Sequence, residues 1–410
     1  MLTSAPSGWA VFRNGDFRLL AGARFLTGLG YQMQAVAIGW FVFEITHSAL
    51  ALGLVGLAAF LPAMVSALFA GHVADVYDRR LVAAAAYATL ALAALALCLE
   101  AALGLARVWP VYLVVVGTGI GRAFANPAQQ ALMPTIVTRE QFGSAVAWNA
   151  SIWQSASVAG PALGGFLYIL GPAVVFGTAA ATFALAAGLI AAVRFRPEPI
   201  LERPAVTWAT LSAGLSYIRS QPVVLGAISL DLFAVLFGGA TALLPVFAAE
   251  VLHVGPLGLG ALRSMPAAGA VAMAVLLAWR SLRHRAGVRL LRAVAVFGVA
   301  VIVFGASTNV ALSMACLFVT GAADMISVYV RQSLVQGETP DAMRGRVSAV
   351  NAVFIGASNE LGEFESGTLA ALVGAEPAVI AGGVATVLVA VVWGRLFPAL
   401  RERDRLLAPR

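Results

Sequence analysis

Seven consecutive residues, Asn359-Glu360-Leu361-Gly362-Glu363-Phe364-Glu365, place three carboxylates in a stretch flanked by apolar and small residues. Glu360 and Glu363 are three apart, so on a helix they share one face. Carboxylates in such a setting are suited to taking and passing a proton, or to binding a substrate. Asp231 and Asp324 are further acids set singly in apolar runs, and Arg24, Arg122 and Arg263 are the corresponding cations. Asp231 can take a proton, bind a cationic substrate or pair with Arg24. Gln32, Gln34, Asn126, Gln129, Asn149, Gln154, Gln332 and Asn351 place amides in similar surroundings. Any of them can line a substrate cavity, although an isolated amide is more often a hydrogen bond between helices. An ionised group in hydrocarbon costs about 2.5–3.5 kcal/mol on insertion scales, so each charge requires a partner, water or a function. Arg24 and Arg263 have the further option of reaching back to a membrane surface.

The elements that hold these residues must be membrane spans. Of 410 residues, 61% are hydrophobic and only 11% charged, and the mean hydropathy is +0.91. A water-soluble chain of this length needs far more polar surface. Stretches of about 20 apolar residues, enough to cross a bilayer, fall at 19–43, 50–72, 81–104, 109–132, 144–169, 173–194, 223–248, 257–279, 289–306, 310–332, 347–371 and 376–397. The expected fold is an all-α membrane protein of twelve transmembrane helices. Helix rise places Asp231 roughly 12 Å into its span and Glu360 roughly 20 Å from the start of its own.

Arginine sets the orientation, since every basic residue is Arg and none is Lys. Arg24, Arg122 and Arg263 fall within spans and Arg107 in a loop on one side. All others, Arg331 included, are assigned to loops and ends on the opposite side. By the positive-inside rule that side is cytoplasmic, with both termini. The net charge of +7 does not point to nucleic acid, because the arginines are dispersed in short loops and form no polar domain. The first 18 residues are mixed polar and the next apolar run is too long for a signal peptide, so it reads as a first span.

A shift of 202 residues lays 119–165 on 321–367, matching Gly119 with Gly321, Gln130 with Gln332, Gly143 with Gly345, Asn149 with Asn351 and Gly160 with Gly362. Residues 1–194 and 223–410 are therefore read as two pseudo-symmetric six-helix bundles. The connection 195–222 opens with Pro197, Pro199 and Pro204. Its Trp208, Leu211, Leu215, Tyr217 and Ile218 are spaced for a short helix on the membrane surface. Parallel repeats of this kind bind substrate near the midplane and work by alternating access. Under the same shift Arg122 and Asp324 occupy equivalent positions, which suggests an opposite-charge pair that gates or couples transport.

Other chemistries lack their residues. There is no HExxH, no GxSxG and no GxxxxGK[ST] loop, and Gly117-Thr118-Gly119-Ile120-Gly121 lies within a span as a packing feature. The four histidines form no cluster, and Cys98 and Cys316 are distant single residues in apolar runs. The expectation is no enzyme, no metal and no cofactor. A non-transporting membrane sensor or scaffold is the alternative from another class.

Further motifs carry a resemblance. Gly71-His-Val-Ala-Asp75-Val-Tyr-Asp78-Arg79-Arg80, between spans two and three, resembles the signature loop of the major facilitator superfamily. There Asp75, Asp78, Arg79 and Arg80 can form a charged latch. Gly160-Pro161-Ala-Leu-Gly164-Gly165 is similar to the glycine–proline motif of proton-coupled efflux members, with Ala156 where a Gly is usual. Phe17-Arg18-Leu-Leu, Ala23-Arg24-Phe25, Ser48-Ala-Leu-Ala-Leu-Gly53, Phe60-Leu61-Pro62 and Arg344-Gly345-Arg346-Val347 resemble the transmembrane-effector branch, which includes enterobactin-type siderophore exporters. Tyr31 stands where many members of that branch carry Asp, and 278–287 lacks the acidic residues of the signature loop. The resemblance implies the major facilitator fold and a monomer in the bacterial inner membrane. It implies a proton-coupled exporter of a small organic molecule, drug- or siderophore-like, whose partners are lipid, protons and substrate. An importer or facilitator is the alternative within transport.

Overall fold

The computed structural model describes residues 9–105, 107–194, 208–280 and 284–404, without the side chains of 67–68, 71–72, 74–75, 208–211 and 342. Helices account for almost all of it. In chain order they are α1 Gly15–Thr46, α2 Ala49–Val76, α3 Arg79–Ala102, α4 Val108–Ile136, α5 Arg139–Tyr168, α6 Pro172–Ala191 and α7 Trp208–Ser220. There follow α8 Pro222–Phe237, α9 Leu244–Val246, α10 Gly255–Trp279, α11 Ala286–Gly305, α12 Val310–Glu338, α13 Asp341–Val373, α14 Ala375–Leu396 and α15 Pro398–Arg401. A helix satisfies every backbone polar group within itself, as a segment surrounded by hydrocarbon must. Large apolar side chains such as Leu92, Leu113, Phe166, Leu185 and Leu388 point outward, where lipid takes the place of water.

Among the described residues, nine helical segments are long and apolar enough to cross a membrane, the broken one at 222–251 being taken as a single segment. The other three expected spans lie in α1, α5 and α13, which are 32, 30 and 33 residues long but more polar. These three carry Arg24 and Gln32, Asn149, and Asn351 with the row of glutamates. A long helix with polar residues in its interior has a face that avoids lipid.

Residues 223–248 do not form the single continuous helix expected for the seventh span. Gly238 and Gly239 end α8, a 3₁₀ turn covers Ala240–Leu243, and after α9 the chain winds as a π-helix over Phe247–Val251. The paired glycines supply little helix propensity and Pro245 removes a backbone donor. At the break the backbone approaches α13 closely: a Cβ on Gly239 would lie 2.7 Å from the Gly362 carbonyl oxygen.

The 202-residue register recurs in the helices themselves. Helices α4 and α12 each have 29 residues, and both ends are offset by that interval, as are the starts of α5 and α13. The turns before α6 and α14 both use a glycine in the left-handed region, Gly171 at φ 112° and Gly374 at φ 93°. Only glycine adopts these angles without strain.

The chain divides into two compact units, Met1–Phe41 with Leu61–Ala205, and Val42–Phe60 with Val206–Arg410. In the first, Leu90, Leu132, Phe183 and Ile190 form a buried core. At its start Asn14 ties α1 to the end of α4, donating to the Ile136 carbonyl at 2.7 Å. In the second, Leu230, Leu290, Val330 and Leu334 form one core. Helix α7 adds another: Ile218 is fully buried against Val224, Val335, Val347 and Val350. Tyr217 Oη donates to the Glu338 carbonyl at 2.7 Å. Leu215, Tyr217 and Ile218 of α7 thus pack against protein. Residues 195–207, with the linker prolines, lie outside the described residues.

Candidate functional site

A buried ion pair lies in the second unit, where α8, α12 and α13 meet. Asp231 and Arg331 form an ion pair at 3.2 Å, with side chains only 8% and 3% exposed. Arg331 also donates to Asn351 Oδ1 at 3.2 Å, so three helices are joined through one guanidinium. Asp324 lies near enough for both charges to act on it. Asp231, Asp324 and Ser327 together line a cavity of about 20 Å³, room for roughly one water molecule. Two carboxylates share one arginine. With both ionised the group carries an excess negative charge, and one added proton makes it neutral.

Asp231 pairs with Arg331 of its own unit, which corrects the placement of Arg331. Arg331 is no loop residue; it lies buried within α12. It is the counterpart of Gln129 under the 202-residue shift, and Gln129 is the residue that binds Arg24. The repeat therefore uses α1 with α4, and α8 with α12, for equivalent side-chain pairs. That register was the signal available for finding Arg331; Ser327 had none.

The glutamates of α13 are half-buried. Glu363 packs against the start of α2, where a Cβ on Gly56 would lie 3.0 Å from its Oε2. Glu365 accepts a hydrogen bond from Ser366 at 3.4 Å. Glu360 lies one turn before, close to the glycine contact between α13 and the break after α8.

The first unit holds the cations. Arg24 lies 4.3 Å from the centre of the Trp153 ring and donates to Gln129 Oε1 at 3.2 Å. Arg122 lies 4.0 Å from the Tyr31 ring centre and donates to its hydroxyl. Within its unit Arg122 is thus held by Tyr31. Gln32 donates to Ser157 at 3.3 Å, Asn149 is half-buried, and Asn126 and Gln332 are exposed. Sequence reasoning did not single out Trp153, and it noted Tyr31 only as a departure from a family pattern. Aromatic residues in an apolar helix carry no distinctive pattern until a cation is placed on them.

Gly160, Pro161, Gly164 and Gly165 are all buried in α5. Gly160 and Gly164 pack on α1, where a Cβ on Gly164 would lie 2.9 Å from Met33 Cα. Gly28 of α1 faces Ala156, its added Cβ 2.9 Å from the alanine methyl, so the missing glycine of the motif is supplied by the opposite helix. In the signature loop Asp78 caps α3 through the Arg80 amide at 2.9 Å and pairs with the Arg80 guanidinium at 3.3 Å. Arg79 donates to the Ala131 carbonyl at 3.4 Å. The Asp75 side chain lies outside the described residues.

Long helices in a 202-residue repeat, with ionisable side chains paired in their interiors, define a multi-span membrane transporter of the major facilitator type. The chain belongs to the transmembrane secretion effector family, whose model matches residues 6–407. It is similar to the enterobactin exporter EntS of Citrobacter koseri, 29% identical over 343 residues covering 82% of this chain and 80% of that protein. The Escherichia coli protein of that name is 28% identical over the same length. In fold it resembles the peptide transporter POT in complex with alafosfalin, at a TM-score of 0.75 and 12% identity over 96% of each chain. It also resembles a bacterial homologue of the human lysosomal transporter Spinster, at 0.74 and 14%, covering 95% of this chain and 98% of that one. These relatives and neighbours are transporters, not enzymes.

Proposed function

We propose that this protein exports a small organic molecule across the bacterial inner membrane by alternating access, driven by proton entry. The carrying observation is the group of Asp231, Arg331 and Asp324 around a cavity the size of one water. A proton on Asp324 neutralises the excess charge and leaves the ion pair intact. A proton on Asp231 releases Arg331 from its carboxylate. Either step changes the forces between α8 and α12, which is what a coupled transporter needs. Family membership favours export, as do the EntS relatives. The arginine distribution supports cytoplasmic termini, and a monomer suffices for the mechanism.

The test is transport in everted membrane vesicles carrying an internal pH-sensitive dye. The vesicles are energised and then offered siderophores, antibiotics and cationic dyes in turn. Export coupled to protons predicts fluorescence recovery with at least one compound, lost in Asp324→Asn. Uptake of a compound without proton movement would overturn coupling and favour a facilitator.

A further inference from the structure

The two units treat charge in opposite ways. The second holds its arginine with a carboxylate. In the first, among the described residues, no ion pair involves Arg24 or Arg122. Both are held by neutral groups instead: Arg24 by Gln129 and the Trp153 ring, Arg122 by the hydroxyl and ring of Tyr31. The two cations act on each other, and their mutual repulsion adds to the cost of keeping charge away from water.

Two donors of the Arg24–Gln129 pair are left unsatisfied. The Gln129 oxygen is occupied by Arg24, while the buried Gln129 Nε2 and Arg24 Nε have no hydrogen-bond partner. Both are donors. Two cations and spare donors together ask for an anion with several acceptor oxygens, such as a carboxylate. Each guanidinium already lies over an aromatic ring, and rings beside a cation suit a planar, aromatic ligand.

We propose that Arg24 and Arg122, with Gln129, Trp153 and Tyr31, form a recognition site for the anionic group of an aromatic organic substrate. This deepens the transport reading by naming a substrate class, and it assigns substrate and proton to different units.

The test uses the full chain in phosphatidylcholine nanodiscs, titrated with 1-naphthoate, 1-naphthamide and (1-naphthyl)trimethylammonium. The ring is the same throughout and the charge runs from negative through neutral to positive. Equilibrium dialysis reads binding without a proton gradient, so the result stands apart from whether export is proton-coupled. The proposal predicts that naphthoate binds at least about tenfold more tightly than either other probe. Arg24→Gln and Arg122→Gln each remove that preference, weakening naphthoate binding by at least about tenfold more than naphthamide binding. Equal binding of all three probes, preference for the cation, no binding, or an anion preference that survives both substitutions would overturn it. If a substituted protein fails to fold, the probe series on the unsubstituted chain still decides. Adding phosphatidylglycerol separates the sources of anion: undiminished naphthoate binding supports a substrate site, whereas competition assigns the site to a lipid headgroup and overturns the proposal.

Discussion

Asp231 and Asp324 lie on one cavity yet have different dependences on Arg331. Asp231 is its direct partner at 3.2 Å, so Asp231→Ala breaks a buried ion pair and leaves Asp324 as the remaining counter-charge, a loss of at most about 3–5 kcal/mol. Heating the detergent-solubilised protein and reading the surviving unaggregated fraction by size exclusion will show a large drop for this variant. The double substitution Asp231→Ala with Arg331→Met removes both charges and is expected to recover most of the loss. Among the described residues Asp324 makes no such direct pair, and Asp324→Asn is expected to leave thermal survival within about 1 kcal/mol of the original. Asp231 and Asp324 were legible in the sequence because an acid in an apolar run is conspicuous. Arg331 was not, because an arginine near the end of a span looks the same whether it turns outward to a loop or inward to a partner.

At the scale of helices, the glycines divide by what surrounds them. A Cβ on Gly362 would lie 2.8 Å from the Leu236 carbonyl oxygen, and backbone on both sides leaves little room to give. Gly362→Ala is therefore expected to destabilise by about 1–3 kcal/mol, and Gly164→Ala to do the same against Met33. Gly356 on the same helix as Gly362 has nothing within 4 Å of an added Cβ, so Gly356→Ala is expected to be neutral or stabilising by up to about 1 kcal/mol. Thermal survival of the three variants checks the contrast. The sequence made the Gly160–Gly165 motif visible, since its small residues are regularly spaced. It did not reveal that Gly239 and Gly362 meet across two helices, because that contact depends on the break at Gly238 and Gly239. Hydropathy alone reads 223–248 as continuous. Helix α7 escaped a full reading for a related reason: amphipathic spacing states that one face is apolar, not whether lipid or protein covers it.

For the whole molecule, the 202-residue repeat was the most informative pattern in the sequence. It aligned α4 with α12 to the residue and held the key to Arg331 through Gln129. Orientation follows from arginine placement alone, and single cysteines introduced at Thr3 and Arg410 are expected to react with a membrane-impermeant maleimide only from the cytoplasmic side. Labelling of either from outside intact cells would reverse that assignment. The central claim is that Asp324 and its neighbours carry the proton while substrate is handled elsewhere. The most direct measurement compares two modes of transport in proteoliposomes bearing Asp324→Asn. The account predicts that substrate exchange at equal concentrations persists, while accumulation driven by a proton gradient is lost. Gradient-driven accumulation at the original rate in folded Asp324→Asn protein would contradict it.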